Sequence, residues 1–590
     1  MDPTNANTAL ASAFVEELAR CGMRRAVVSP GSRSTPLALA LWRNPAVRVE
    51  VEVDERCAGF RALGAASATG TPVGVACTSG TAAANLHPAV AEADEAGVPL
   101  LALTADRPPE LRGIGAGQTI DQVGLFGAAV RWFCEVGAQQ ADDSGLLHLR
   151  ATACRAFAEA VRPGLTGPVH LNLAWREPLA PVPDPDGVTA RSPLALKGRG
   201  GAPLTAVRTG TSAPDAAVLD ALSERLATVR RGVIVAGREP RPGLAGAVAA
   251  LAAATGFPIL AEPTSQLRLG PHDRSRVIWA YDSICRAQPT ELEPDFVLRF
   301  GDMPTSKPLR SWLAELPDAE QAVIDPPGRW NEPLRTAGTI VRADAPAVAA
   351  GLAERLADRP PAPASFADPW RAAQAAATAA IDSILATQGG PTEPGIHRTL
   401  ARLVIDGQLV FTASSMPIRD QEAFWADGPA DVRFLANRGA NGIDGTVSTA
   451  VGAAASLSRP TVVVLGDLAL HHDSNGLAGI KTLDVPVKLV VIDNAGGGIF
   501  AFLPQQRELD AEEFERLFAT PVGLDPERLA ALHGVGYHRV ERLDDLGPLL
   551  AGRGHALIHV PVQRAGNVEL HAQLADAVAE AVRDALGSAR

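Results

Sequence analysis

Short runs rich in Val, Ile and Leu alternate along this chain with longer Ala-rich stretches of helical periodicity. That alternation predicts stacked strand–helix–strand units and parallel sheets. Strands are predicted at Ala26–Ser29, Val47–Val51, Val73–Cys77, Leu100–Thr104 and Val169–Leu173, then at Gly232–Ala236, Phe257–Leu260, Phe296–Phe300 and Gln321–Ile324. A last group is predicted at Leu409–Thr412, Val432–Leu435, Thr461–Leu465, Val487–Ile492 and Ala556–His559, with an amphipathic crossover helix from Asn475 to Thr482. Pro/Gly-rich stretches near 179–215 and 358–369 read as linkers. The expected division is therefore 1–185, 205–357 and 370–590, three α/β domains each built on a doubly wound parallel sheet. The first and last share a plan of strand, Gly/Ser-rich turn and helix, which is compatible with an ancient duplication.

A chain of 590 residues is too long for one core, which agrees with several domains. Apolar content of 46% and charged content of 20% describe an ordinary globular protein. A net charge of −12 argues against nucleic acid as a partner. The six cysteines show no Cys-x-x-Cys pair and no zinc spacing, so reduced thiols and a cytoplasmic location are expected. The most apolar long stretch, Leu244 to Ala261, is broken by Gly256 and Pro258 and reads as a helix running into a strand, not as a membrane span.

Candidate chemistry sits where strands end. Gly466-Asp467 closes one apolar strand, and Asn494-Ala495-Gly496-Gly497-Gly498 follows the next. The Asp467 carboxylate, the Asn494 amide oxygen and a carbonyl near Gly496 make three hard oxygen donors, the kind Mg²⁺ takes together with phosphate. Parallel strands bring both turns to one sheet edge, where α/β proteins bind ligands. A Gly-Asp pair alone more often just ends a strand; three glycines in the second turn permit close backbone approach to a ligand. In the first span, Ser29-Pro30-Gly31-Ser32-Arg33-Ser34 opens a helix, Asp54-Glu55-Arg56 starts another, and Thr78-Ser79-Gly80-Thr81, Arg107 and Gln118 follow further strands. In the last, Ser415 to Arg419 and Asn437-Arg438-Gly439-Ala440-Asn441-Gly442-Ile443-Asp444-Gly445 do the same. Taken singly, each arginine could be a surface ion pair; Arg33, Arg107, Arg419 and Arg438 together suggest a substrate carrying several carboxylates. His471-His472 reads as a solvated pair at a helix start.

The Gly-Asp … Asn pattern resembles the diphosphate motif of the thiamine-diphosphate (ThDP) enzymes, although Leu468 and Ala495 replace a more usual Gly and Asn. Ser-Pro-Gly-Ser-Arg-Ser at 29–34, Asp-Glu-Arg at 54–56, the 437–445 segment and Asn-x-Gly-Gly-Gly-Ile-Phe at 494–500 resemble, in this order, one menaquinone-biosynthesis branch of that superfamily. These are the 2-succinyl-5-enolpyruvyl-6-hydroxy-3-cyclohexene-1-carboxylate synthases. The resemblance implies the ThDP-dependent fold, with pyrimidine-binding, central and diphosphate-binding domains. It implies ThDP with Mg²⁺ (or Mn²⁺), lying between the first domain of one subunit and the last of its partner in a dimer or tetramer. It implies decarboxylation of 2-oxoglutarate and 1,4-addition of the resulting four-carbon carbanion to isochorismate. Under it, Glu55 is the catalytic acid on the pyrimidine; Ser415, Gly442 and Ile443 contact the cofactor; and Asp467, Asn494 and Gly496 hold the metal. Ser32, Arg33, Arg107, Gln118, Lys307, Arg419 and Arg438 bind substrate, with Pro308 standing where relatives often carry a second basic residue. The alternatives are another ThDP enzyme acting on a 2-oxo acid, such as an acetohydroxyacid synthase, or a non-catalytic subunit of the same fold.

Overall fold

The computed structural model describes residues 5–587 apart from 185, 211, 240 and 327. Its strands form three sheets, every neighbouring pair parallel. The first holds β1 (Arg25–Val28), β2 (Arg48–Val51), β3 (Val73–Cys77), β4 (Leu100–Asp106), β5 (Trp132–Glu135) and β6 (Val169–Ala174), in the order β2-β1-β3-β4-β6-β5. The second holds β7 (Gly232–Ala236), β8 (Ile259–Ala261), β9 (Phe296–Phe300), β10 (Glu320–Ile324) and β11 (Thr339–Val341), in the order β11-β10-β9-β7-β8. The third holds β12 (Leu409–Thr412), β13 (Arg433–Leu435), β14 (Thr461–Gly466), β15 (Val487–Asp493), β16 (Gly536–Arg539) and β17 (Ala556–Pro561), in the order β13-β12-β14-β15-β17-β16. The first and third sheets thus share one strand order, which strengthens the shared plan seen in the sequence.

The central strands are apolar on both faces because helices cover both. In the first sheet Ala26, Val28, Leu101 and Leu103 enter one core, while Val27, Leu100 and Ala102 enter the other. That is the period-2 alternation of a strand buried on both sides. Three strands were not foreseen: β5, β11 and β16. Each is an edge strand, and each is largely half-buried or exposed. These three bury too little of their length to need a long apolar run, unlike the foreseen edge strand β8, whose residues are all buried. The crossover after β14 also differs from expectation. A short α-helix, Asp467–His472, leads into a 3-10 helix, Ser474–Thr482. His471 and His472 are exposed, as expected, but they end that first helix and do not start it.

The chain forms two compact units. The first comprises 1–210 with 437–458 and 472–485; the second comprises 211–436, 459–471 and 486–590. The second and third sheets therefore share the second unit. The first unit gathers its own sheet together with the helix Thr446–Leu457, which crosses the helix Glu55–Thr69 closely enough that glycines are required. A Cβ on Gly64 would lie 1.9 Å from the Thr449 carbonyl oxygen, and one on Gly452 would lie 1.9 Å from that of Arg61.

Candidate functional site

In the second unit, β14 and β15 are register partners up to Gly466 and Ile492, so the turns that follow emerge at one edge. Asp467 is 4% exposed, and its carboxylate accepts the Gly496 backbone N–H, which ties the two turns together. Burial, and then the neighbouring Asp493 carboxylate, push Asp467 up to about 6. Such a group gains from a nearby cation. Asn494 donates its Nδ2 to Glu393 Oε1 at 2.8 Å, while its Oδ1 is buried with no partner in the protein. An orphaned amide oxygen costs about 1–3 kcal/mol, a penalty that a cation at this point would remove.

The backbone is shaped to the same end. Ala495 adopts φ 57°, and its N–H donates to Asp493 Oδ1 at 3.0 Å; the other oxygen of Asp493 lies 2.9 Å from His559 Nε2. Gly496 adopts φ 133°, and a Cβ there would lie 2.2 Å from the Ala519 carbonyl oxygen, so no other residue fits. Among the described residues no three His, Cys, Asp or Glu side chains cluster to hold a metal. The corner instead offers one carboxylate, one amide and a backbone carbonyl. Those hard oxygens suit a small divalent cation that keeps water and phosphate as further ligands.

Elsewhere in this unit Ser415 precedes the helix Met416–Phe424 with φ 76°, and Arg419, exposed in its first turn, donates Nη1 to the Ser415 carbonyl. Lys307 is exposed and opens the helix Lys307–Ala314, capped by the Ser306 hydroxyl. Pro308 stands in that helix's first turn, where a missing N–H costs nothing.

The first unit brings a different set together. Glu55 is the first residue of its helix, half-buried, behind an Asp54 cap that accepts the Arg56 and Cys57 N–H groups. Arg33 is 8% exposed; its Nη1 donates to the Trp175 carbonyl at 2.9 Å and its Nη2 lies 3.2 Å from Glu177. Ser32 beside it is exposed. Arg107 donates to the Ser79 hydroxyl and to the Gln118 carbonyl, and Gln118, at φ 56°, donates Nε2 to the Ser79 carbonyl. Burial, and then the Arg33 charge, pull Arg107 below its ordinary value. Two guanidinium groups that repel one another across strand ends make a place for an anion.

Arg438, Gly442 and Ile443 lie on the segment grouped with this unit. The Glu92 carboxylate clamps that segment by accepting the N–H groups of Gly439 at 2.7 Å and Ala440 at 2.6 Å. A Cβ on Gly442 would lie 2.0 Å from Asp444 Oδ1. Ile443 is half-buried and its carbonyl accepts the Thr446 hydroxyl at 2.8 Å. Sequence reasoning missed both Glu92 and Glu393. Each is an acid in a helix whose partner lies far along the chain, and no local pattern marks it.

Two family models match. A thiamine pyrophosphate enzyme N-terminal TPP-binding domain covers residues 8–125, and a C-terminal TPP-binding domain covers 422–560. Curated relatives named 2-succinyl-5-enolpyruvyl-6-hydroxy-3-cyclohexene-1-carboxylate synthase match over nearly the whole chain. The protein of Geobacillus kaustophilus is 42% identical, with 98% of each chain covered. That of Chloroflexus aurantiacus is 44% identical over 89% of this chain and 88% of its own. That of Myxococcus xanthus is 42% identical over 97% of each. The chain belongs to this synthase family. The N-terminal match takes in Glu55, Arg33, Arg107 and Gln118, and the C-terminal match takes in Arg438, Gly442, Ile443, Asp467, Asn494 and Gly496. Both candidate half-sites of the synthase thus fall inside TPP-binding domains. Among the described residues no helix is long and apolar enough to cross a membrane.

Proposed function

We propose that this chain is a ThDP- and Mg²⁺-dependent synthase (Mn²⁺ serving equally) of menaquinone biosynthesis. It decarboxylates 2-oxoglutarate and joins the remaining four carbons to isochorismate by 1,4-addition, releasing CO2 and 2-succinyl-5-enolpyruvyl-6-hydroxy-3-cyclohexene-1-carboxylate. The observation that carries the reading is the buried corner of Asp467 and Asn494, with its raised carboxylate and its unpartnered amide oxygen. When bound, ThDP supplies a nucleophilic ring carbon and an electron sink for loss of CO2.

The residues then have separable tasks. Asp467, Asn494 Oδ1 and the Gly496 carbonyl hold the cation that anchors the diphosphate, and Ser415 and Gly442 border the cofactor. Glu55 holds a proton on the pyrimidine ring nitrogen. Ile443 would supply a bulky apolar surface against the bound cofactor. Arg33 and Arg107, with Ser32 and Gln118, form an anion-binding group; Arg419, Arg438 and Lys307 add positive charge for the remaining carboxylates. The domain division at 1–185, 205–357 and 370–590 gives each part its place. A dimer or tetramer in the cytoplasm completes the site by bringing Glu55 of one subunit to the metal corner of another. The six unpaired cysteines support that compartment.

The test is a complete mixture of protein, ThDP, Mg²⁺, 2-oxoglutarate and isochorismate, followed by the isochorismate absorbance. Loss of absorbance that needs every component is expected. Equal turnover of pyruvate would favour an acetohydroxyacid-type enzyme, and no turnover of any 2-oxo acid would favour a non-catalytic subunit.

A further inference from the structure

Asn494 can present either end of its amide, and only one end can ligate a cation. The residue that decides between them is Glu393, 101 positions earlier in the chain. Glu393 opens the helix Glu393–Leu403, is 1% exposed, and places Oε1 2.8 Å from Asn494 Nδ2. That hydrogen bond turns the NH2 end toward Glu393 and leaves Oδ1 facing away, buried and without a partner. Rotating the amide by half a turn would break this hydrogen bond and turn N–H groups toward the cation. Gly498 leaves the amide its space, since a Cβ there would lie 2.3 Å from Nδ2. Glu393 is itself held from behind. Asp420, 1% exposed, is its neighbour; His571 Nε2 lies 2.8 Å from Asp420 Oδ1, and His571 Nδ1 lies 2.8 Å from the Asn567 carbonyl.

We propose that Glu393 is a positioning residue for the divalent cation, fixing the Asn494 amide with Oδ1 presented as a ligand, with Asp420 of the helix Met416–Phe424 beside it and His571 of the helix Arg564–Gly587 holding Asp420. This rests on the metal reading of the Asp467/Asn494 corner. Glu393 does not touch the cation; it acts through Asn494. Partners of this kind typically contribute about 10–100-fold in metal affinity.

The experiment titrates Mn²⁺ into the full chain with ThDP present and follows the free-ion signal by electron paramagnetic resonance. Glu393→Met, which removes the acceptor but keeps the length, should weaken Mn²⁺ binding about 10–100-fold. Glu393→Gln keeps a carbonyl oxygen at the same place and should bind close to wild type. Glu393→Ala is the second acceptor-free variant should the methionine protein fail to fold. Asn494→Asp supplies the decisive background: a carboxylate has two equivalent oxygens and no wrong end, so adding Glu393→Met to it should cost little. An equal loss in both backgrounds, or Mn²⁺ binding by Glu393→Met as tight as wild type, overturns the inference while leaving the metal site standing. Wild-type protein that binds Mn²⁺ no better than Asp467→Ala overturns the metal reading itself.

Discussion

The first and third sheets have the same strand order, yet the turns beyond equivalent strands carry opposite chemistry. After the third and fourth strands of the third sheet come Asp467 and Asn494, buried oxygen donors with an uncompensated carboxylate and an orphaned amide oxygen. After the third and fourth strands of the first sheet come Ser79 and Arg107, a hydroxyl and a guanidinium joined to each other and to the half-open loop at Gln118. A cation site must be dry and rigid, because its ligands replace a hydration shell. A site for carboxylates can stay half-open, because guanidinium groups remain charged and donate in any setting. One strand order thus carries two sets of turn residues of opposite chemistry, matching the two half-sites proposed for cation and carboxylates.

The sharpest way to break this comparison is to remove one half and watch the other. Glu55→Gln should lower turnover by roughly 10²–10⁴, while Mn²⁺ and ThDP affinity and the thermal midpoint stay near wild type. Retained turnover would remove Glu55 from the reaction. Asp467→Ala should give the mirror result. Mn²⁺ affinity in the presence of ThDP should fall about 100-fold, or roughly 2.7 kcal/mol, and turnover should partly return at high metal concentration. An Asp467→Ala protein that binds Mn²⁺ normally would place the cation elsewhere.

How far the sequence alone leads also differs between the halves. Val73–Cys77, Gly232–Ala236, Phe296–Phe300 and Leu409–Thr412 are buried central strands, and their apolar runs coincide with the observed bounds. The edge strands β5, β11 and β16 left no such trace, for want of burial. The meeting of Asp467 and Asn494 at one sheet edge was legible because both follow adjacent strands within one short span. Its orienting partner Glu393 was not, nor was the Glu92 clamp, whose two contacts lie 347 and 348 positions away. Glu92 sits in the helix His87–Ala96, where it looks like any solvated acid until the fold buries it to 5% exposure. Hydrogen bonds between remote polar groups carry no periodicity, so hydrophobic patterning cannot announce them.

A third prediction concerns how Glu55 is carried. Its helix crosses Thr446–Leu457 at Gly64, with a carbonyl oxygen where a methyl would go. Gly64→Ala should gain about 1 kcal/mol in helix propensity and lose more through overpacking, since backbone cannot swing aside as a side chain can. A net destabilisation of about 2 kcal/mol, read by chemical denaturation, should come with lower turnover, because the helix that presents Glu55 must shift. Mn²⁺ binding at the other half should be spared. A neutral Gly64→Ala would mean that the crossing is looser than the geometry allows.

The smallest effect expected is a pH dependence confined to the first unit. His170 on β6 is fully buried, beside the rings of Phe126 and Phe133. Its Nε2 lies 2.8 Å from the Thr104 hydroxyl, whose single proton goes to Asn172 Oδ1 at 2.9 Å. Nε2 must therefore carry the hydrogen and donate, leaving Nδ1 bare and without a partner. A second proton has nowhere favourable to go, and burial pulls His170 down to about 3 from its ordinary 6.5. Because the folded value is depressed, the neutral ring's contribution is fully present above pH 6.5 and is lost as pH falls toward about 3. Between pH 6.5 and 5.5 that loss amounts to about 1 kcal/mol. The hydrogen-exchange protection factors of the β4 and β6 amides, taken relative to the intrinsic exchange rate at each pH, should fall accordingly over this interval, and His170→Leu should flatten that slope whatever it does to absolute stability. An unchanged slope in His170→Leu would assign the acid sensitivity of these strands to another group.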